Sequence, residues 1–596
     1  MVKVGIEVHQ QLNTKKLFCN CPSELAEGKD PAVVVDRRLH PVFSELGEID
    51  RASLVEFKKS KVFEYQAFRE SNCLIELDEE PPFPLNHEAL KIVLEIAMQF
   101  NARIVDEVHI MRKIVIDGSN TTGFQRTSVI AFNGELETSK GNIGIPLIAL
   151  EEESSGIVET KKEKTVYRLD RLGIPLVEIT TTPDIKDGKH LREVAEKIGL
   201  ILRATGRVAR GLGTVRQDVN ISIEEGARVE LKGAQDLKLL STWVEYEVMR
   251  QEKLVELIKE LKKKKVYPVK SKQVELTDIF RDTGSGLVKK ELELGGIVLG
   301  IKLAGHAGIP GRELQPGKRY GTELSNYAKH AGVKGIMHSD EDLKKVYKFT
   351  DKEISEVKEK LSIGEDDCFV IVVAPEKKAE GALEKVLERA NMDYVPEETR
   401  KPNPDGTTVY LRPLPGRARM YPETDVPPVY IDGKLLKETK GGMAESYDEK
   451  RVKLEKTLNK EMAGRILRSR HAKLFEKLVK NGIDPMLAAT TIENTVISLR
   501  REGVEIKELD ATITEMFSAY KEGKFVKSAI PEVLKEMAKG KKLDEIVLKF
   551  KKISGKELEK IAKENELDIK RIMGKYRTRI EPEELMKIIN KLKKGD

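Results

Sequence analysis

With 596 residues the chain exceeds what one hydrophobic core organises, and at about 150 residues per domain it predicts roughly four domains. Hydrophobic residues at 39% and charged residues at 34% fit packed cores under a charged surface, and no apolar run approaches the ~20 residues of a membrane span, which excludes an integral helical membrane protein. The net charge of +6 is uneven: residues 451 to 596 hold 35 Lys and Arg against 24 Asp and Glu, a net +11, so the first 450 residues carry −5. A basic end on a mildly acidic body predicts a polyanion-binding appendage, because Lys and Arg contacts to phosphates release condensed counterions. The opening Val2-Lys-Val-Gly-Ile-Glu is strand-like and has no apolar signal core, so a cytoplasmic protein is expected. Four cysteines in such a length are no disulfide framework and are expected to be reduced.

In chain order, the region up to about Val266 mixes strand-like runs at Ile104 to His109, Lys113 to Ile116 and Val177 to Thr181 with helical periodicity. The helical stretches are Glu88 to Asn101, Glu193 to Thr205 and Ser241 to Lys264, and the mixture predicts an α+β domain. Pro268 cannot continue the last helix and restricts the residue before it, so a boundary falls near residue 270. Residues 271–400 are glycine-rich at Gly284, Gly286, Gly295 and Gly296. They then alternate a helical run, Leu343 to Leu361, with a strand-like one, Cys368 to Val373, which predicts a separate α+β unit. Prolines and glycines crowd Pro402 to Pro428, and the arginines of Pro415-Gly-Arg-Ala-Arg are expected to face an anionic partner or an acidic wall. Residues 401–450 are assigned back to the first domain. From Leu454 helices dominate, at Leu454 to Leu467, Lys473 to Lys480 and Pro485 to Arg501, followed by shorter ones separated by Gly523, Gly540 and Gly555. A helical domain is expected over 451–530 and a basic helical tail over 531–596.

Chemistry concentrates in four segments. In Gly5-Ile-Glu7-Val-His9, strand alternation sends Glu7 and His9 to one face and Ile6 and Val8 to the other, pairing a carboxylate with an imidazole that can hold a metal or manage protons. Glu151-Glu-Glu153 follows an apolar run, and three adjacent carboxylates repel one another unless solvent or a cation intervenes. Glu178 lies inside the apolar run Pro175 to Ile179, where a lone carboxylate needs a cation partner. The stripe Thr214, Arg216, Asp218, Asn220 and Ser222 shares one strand face and brings together what a phosphate-and-magnesium site uses, since Arg forks onto phosphate and Mg²⁺ takes a few carboxylate oxygens plus waters. Arg112, Lys113 and the polar loop Asp117 to Thr127 offer further phosphate contacts. Neither a G-x-x-x-x-G-K-[ST] loop nor a G-x-G-x-x-G turn is present, so any nucleotide is held by a less common fold.

Together these segments resemble the catalytic subunits of the Glu-tRNA(Gln) amidotransferases. The B and E branches of that family share G-[IL]-E-V-H, L-E-E, R-x-G-x-P-L-[IV]-E-I and R-x-D-x-N-[IV]-S strands and a later [YF]-P-E-x-D-[IL]-x-P element. Here these read Gly5 to His9, Leu150 to Glu152, Arg171 to Ile179, Arg216 to Ser222 and Tyr421 to Pro428, in the expected order. The stretch Asp278 to about Glu398, with Gly332-Val-Lys-Gly-Ile, resembles the insertion of bacterial-type aspartyl-tRNA synthetases and marks the archaeal E branch. The resemblance implies an α+β multidomain protein. A cradle-like catalytic domain carries an inserted aspartyl-tRNA-synthetase-like α+β domain and is followed by an all-α helical domain and tail.

The resemblance also implies a reaction. A carboxylate does not react with ammonia unaided, so ATP first activates the side chain of glutamate on tRNA(Gln), and ammonia then displaces phosphate. By motif position His9, Glu151 and Glu178 would hold Mg²⁺. Glu7, Lys113, Thr214, Arg216, Asp218 and Asn220 would lie in the ATP and second-metal region, and Glu7, His9, Glu151, Glu178, Arg216 and Asp218 are counted as catalytic. Lys551, Lys552, Arg571, Lys575, Tyr576, Arg577 and Arg579 are the expected tRNA contacts. No amidase signature is present, so ammonia is expected from an asparaginase-like D subunit, in a hetero-oligomer of the α2β2 kind. A non-catalytic tRNA-binding scaffold is the competing reading, and the intact Glu7, His9, Glu151, Glu178 and Asp218 argue against it. An aspartyl-tRNA synthetase is excluded because the ATP-site arginine motifs of class II synthetases are missing. Zinc-bearing B-type relatives have four cysteines near the N-terminus. Here Cys19, Cys21 and Cys73 are three, Cys368 is far away, and no fourth ligand is legible.

Overall fold

The computed structural model describes residues 2–43, 47–49, 51–57, 60–161, 163–414 and 420–593. It divides into a unit ending at Ala444 and a helical unit from Glu445. The first is organised by an 11-stranded sheet, whose strands run in the order Thr408–Pro413, Glu398–Pro402, Val229–Leu231, Val215–Ser222, Lys3–Gln11, Pro175–Thr180, Ile143–Glu152, Phe124–Leu136, Ile110–Ile114 and Met420–Pro422, with Arg103–Ile104 paired beside Phe124–Leu136. Alternation makes the sheet two-faced: Val4, Ile6 and Val8 of the central strand are at most 2% exposed, while Glu7 and His9 face the other way. The apolar face is covered by helices His87–Gln99 and Gly188–Ala204, whose Ile92, Val93, Ile96, Leu191, Val194 and Ile198 complete the core. Both helices begin where a short polar side chain satisfies the first free N–H groups: Asn86 accepts from Glu88 and Ala89, and Asp187 accepts from His190. With one face packed, the opposite face is free to carry charge.

Residues 274–374 contain a second sheet, ordered Val274–Glu275, Ile297–Leu303, Cys368–Ala374, Met337–His338. Its core includes Leu254, Leu257, Ile258 and Leu261 from the end of helix Leu240–Lys263, so packing is continuous across residue 270. Arg250, Glu247, Glu323, Glu398 and Arg400 form a buried ionic cluster beneath it, with Arg250 Nη2 2.8 Å from Glu247 and Arg400 Nη2 2.7 Å from Glu323. The single helix expected over Leu343 to Leu361 is two, Leu343–Tyr347 and Asp351–Lys360. Lys348 turns left-handed at φ 63°, and Thr350 with Glu353 forms a reciprocal cap that starts the second helix, a local signal that overrides the continuous apolar spacing.

The proline-rich return is anchored at the sheet edge, where Met420–Pro422 pairs with Ile110–Ile114. Glu423 is wholly buried and accepts from Arg112, from Arg126 Nε at 2.6 Å and from the Asp425 N–H at 2.9 Å, while the Arg112 guanidinium stacks over Phe124 and Tyr421. Arg112 therefore serves this anchor. The arginines Arg417 and Arg419 lie outside the described residues. Burial alone would raise the Glu423 carboxyl, but its bonds to Arg112, the Asp425 N–H and Arg126 hold it down at about 2. Its folded value is depressed, so its stabilisation is fully present above the unfolded value near 4.3 and is lost as pH falls toward 2. We expect Glu423→Gln to destabilise the chain by about 1 to 2 kcal/mol at pH 7, because Arg112 and Arg126 lose their shared buried carboxylate and keep only Asp425 at 3.1 Å and Glu152 at 3.7 Å. In urea melts, the gap between wild type and variant should close steadily below about pH 4.

The helical unit holds two cores. One runs from Leu458 to Phe550 and so crosses residue 530, since Ile530, Val533 and Leu534 pack against Phe517 and Met516. The other, Ile553 to Ile589, is built by the last three helices. Among the described residues no helix is long and apolar enough to cross a membrane.

Candidate active site

Register decides which residues meet. His9 stands opposite Glu178 on one neighbouring strand and opposite Arg216 on the other, while Glu7 stands opposite Asp218. Glu151 lies across from Leu176, two residues along from Glu178, and Lys113 reaches over from the strand beyond. Directly opposed residues share a face, so strands far apart in the chain deliver their polar side chains to one cleft of about 610 Å³.

Two charge clusters divide its floor. In the first, His9 Nε2 is 3.4 Å from Glu178 and 3.9 Å from Glu151, and Lys113 Nζ is 2.6 Å from Glu151 and 3.8 Å from Glu178. Burial disfavours charge on His9, yet the hydrogen bond to Glu178 and the charges of Glu178, Glu151 and Asp218 outweigh it and lift its pKa to about 9. Glu178 moves the opposite way: burial would raise it, but Lys113 and His9 hold it well below the usual carboxylate range. In the second cluster, burial together with Glu178, Glu230 and Asp218 lifts Glu7 to about 7, while Asn220 Nδ2 donates to its Oε1 at 2.9 Å. Asp218 accepts from the Gly233 N–H at 2.7 Å and lies 3.5 Å from Lys232.

The three consecutive glutamates do not repel one another because each has its own partner. Glu151 is paired with Lys113, Glu152 on the other face accepts the Arg126 N–H at 2.7 Å, and Glu153 is ion-paired with Arg216 and accepts from Gln11 at 3.2 Å. The structure thus brings Glu7, His9, Lys113, Glu151, Glu178, Arg216, Asp218 and Asn220 into the lining of one cleft. Thr214 stands one residue before its strand, bonded to the Gly211 carbonyl, and is not part of that lining. Glu230, Lys232 and Arg412 also line the cleft and are not legible in the sequence: Glu230 and Lys232 belong to a three-residue strand, Val229–Leu231, and its end, too short to show alternation, and Arg412 lies on the sheet-edge strand Thr408–Pro413 within the proline-rich stretch.

In the C-terminal unit Lys551, Arg571, Lys575 and Arg577 are exposed. Lys552 is 2.9 Å from Glu584, Arg579 Nε donates to the Lys551 carbonyl, and Tyr576 packs against the last core, so these three are engaged within the fold.

Residues 2–437 match the model of the GatB/GatE catalytic domain and residues 473–579 that of the GatB domain, and the chain belongs to this family. Among its relatives, the E subunit of glutamyl-tRNA(Gln) amidotransferase from Methanocaldococcus jannaschii is 48% identical over 574 residues, covering 94% of this chain and 90% of the relative. The E subunits from Thermococcus gammatolerans, 48% identical over 90% of this chain and 86% of the relative, and from Methanococcus maripaludis, 46% over 94% and 90%, are similar to it to the same degree.

Proposed function

We propose that this chain is the catalytic subunit of a tRNA-dependent amidotransferase. It activates the glutamate side chain of Glu-tRNA(Gln) with ATP and converts it to glutamine with ammonia. The observation that carries this reading is the convergence of His9, Glu151 and Glu178, whose ligand atoms lie within 4.8 Å of one another on the floor of the cleft. Two carboxylate oxygens and an imidazole nitrogen, on a cleft open to water, fit a hard divalent ion that keeps several waters, as magnesium does. Bound magnesium would supply charge neutralisation for the phosphoryl group in transfer.

The chain's own groups do the positioning. Lys113 reaches the oxygens of Glu151 and sits beside the ligand set, where its ammonium can meet a phosphoryl oxygen without leaving the cleft floor. Arg216, partly exposed and held by Glu153, presents a fixed guanidinium to a nucleotide, with Asp218 and Asn220 completing the nucleotide side. Glu7 lines the cleft opposite Asp218, beside the ligand set, and completes the group of catalytic carboxylates.

Around this centre we assign a cradle-like body over 1–270 and 401–450 and a synthetase-like insertion over 271–400. A helical domain and a basic tail hold tRNA, with their division near residue 551, where one core gives way to the next. Ammonia comes from a glutaminase partner of the asparaginase-like D type, in an α2β2 assembly in the cytoplasm. The isolated chain should then form Gln-tRNA(Gln) from Glu-tRNA(Gln), ATP and ammonium chloride, but not when glutamine replaces ammonium. Acid-gel or chromatographic analysis of the released amino acid decides this, and glutamine-dependent product from the lone chain would contradict the assignment.

A further inference from the structure

The cleft extends along the sheet well past the metal ligands. Direct pairing runs from Asn220 to Glu230, from Glu230 to Thr399 and from Thr399 to Arg412, so these four residues form one cross-strand row on the cleft side of the sheet. Thr399 Oγ1 donates to Glu230 Oε2 at 3.1 Å, which fixes the middle of the row. Strand alternation adds two neighbours, because Arg228, Glu230 and Lys232 are spaced two apart and share a face. This end of the cleft therefore carries three cations, Arg228, Lys232 and Arg412, that the reaction centre does not use.

Pairing sets them apart from the other cations of the cleft. Lys113 is bonded to Glu151, Arg216 to Glu153, and Arg171 to the carbonyls of Ser154 and Ser155. Lys232 is held only loosely, 3.5 Å from Asp218 and 3.9 Å from Glu230. Arg228 is exposed and Arg412 half-buried, and neither has a carboxylate partner among the described residues. Guanidinium groups left open on a cleft wall are free to fork onto an incoming anion.

Strand order fixes how far away that anion must lie. Four strand steps separate Thr408–Pro413 from the central strand that carries His9, about 19 Å at ~4.8 Å per step. In the proposed amidotransferase the γ-phosphate of ATP and the glutamyl carboxyl meet beside His9, Glu151 and Glu178, so an anion at Arg412 must be tethered to one of them over most of that distance. A triphosphate is too short, and beyond its α-phosphate the nucleoside carries no charge. From the glutamyl carboxyl through the ester and the ribose to the first phosphate of the RNA is about ten bonds, ~12 Å when extended, and the next phosphate lies one nucleotide farther. The backbone at the 3′ end of the tRNA matches that reach.

We propose that Arg228, Lys232 and Arg412 are positioning residues that hold the last phosphates of the single-stranded 3′ end of the aminoacylated tRNA and so aim the glutamyl ester at the metal end of the cleft. The assignment rests on the amidotransferase reading above and names where its RNA substrate enters. A cationic track along one wall is how a single strand is guided without reading its bases. The acidic floor between the two ends, with Glu7, Asp218 and Glu230, repels the RNA backbone, so only the uncharged ester and ribose cross it.

The test is a thermodynamic cycle on the full-length chain, with deacylated tRNA(Gln) either intact or shortened by its last three nucleotides. The wild type should bind the shortened RNA about tenfold more weakly than the intact one. The double variant Arg228→Ala with Arg412→Ala should bind both alike, about tenfold more weakly than the wild type binds intact RNA. Its slope of log K against log salt should be lower by about 1.4, at roughly 0.7 for each single-strand phosphate no longer neutralised. Its affinity for ATP should stay within about twofold, and Arg412→Lys, which keeps the charge, should lose less than about threefold for intact RNA. Neither arginine strands a carboxylate when removed, so the double variant should fold; if it does not, each single variant reads the same cycle at about threefold. A double variant that still loses tenfold on shortening overturns the proposal, as does weakened ATP binding with wild-type tRNA affinity. Amidation with ammonium chloride is measured alongside: a chain that amidates while the two losses multiply refutes the 3′-end site alone, whereas a chain that does not amidate refutes the amidotransferase reading itself.

Discussion

Replacing Glu178 with Gln should reduce tRNA-dependent phosphoryl transfer by at least about 10²- to 10³-fold while leaving tRNA affinity almost unchanged. The change is isosteric, and the strand that carries it remains buried through Val177 and Ile179 on the other face, so the fold should survive. Lys113 keeps its 2.6 Å partner Glu151, and His9 keeps that same carboxylate at 3.9 Å. What disappears is one negative charge from a three-residue ligand set and the carboxylate nearest to His9. A neutral carboxamide binds a hard divalent ion far more weakly than a carboxylate, so the loss falls on an interaction that matters most as phosphoryl charge develops. Single-turnover transfer from γ-labelled ATP separates this step from tRNA binding. Wild-type turnover in the folded variant would remove Glu178 from the assigned centre.

The site is partly legible in the sequence because strand alternation is a local property. Glu7 and His9 declare a shared polar face within five residues, and Glu178 is conspicuous as a charge inside an apolar run. Pairing is not local: that Glu178 stands opposite His9, and that Lys113 reaches Glu151, depends on register between strands that the sequence spaces far apart. Arg112 shows the same limit from the other side. It neighbours Lys113 and so points to the opposite face, where Glu423, some 300 residues later, claims it. In the helical unit the glycine breaks are legible but the cores are not, since packing across residue 530 is a tertiary fact.

That last point sets where the chain can be cut to test tRNA binding. A cut near residue 530 would open the first helical core, whereas ending the chain at Lys552 removes only the module Ile553 to Ile589 and leaves Phe550 packed. The segment removed contains Arg571, Lys575 and Arg577, which are exposed, together with Arg579, whose Nε is bonded to the Lys551 carbonyl. Side chains cannot read the deep major groove of A-form RNA, so these cations would contact backbone phosphate and shape. With Tyr576 packed against its own core, base stacking by that ring is not expected to contribute. The truncated chain should therefore show an apparent KM for Glu-tRNA(Gln) raised at least about tenfold, with a smaller change in kcat, because uniform binding is removed and transition-state interactions are not. The slope of log K against log salt should fall by roughly 0.7 to 0.9 for each phosphate no longer neutralised, about 3 in all if four cations engage. Binding should not vanish, because the core that remains presents Arg465, Arg468, Arg470 and Arg500 around a second cleft of about 280 Å³. Titrations of wild type and truncation at several salt concentrations, with circular dichroism to verify folding, supply both numbers. An unchanged affinity and an unchanged slope would mean that the terminal module serves a partner other than RNA.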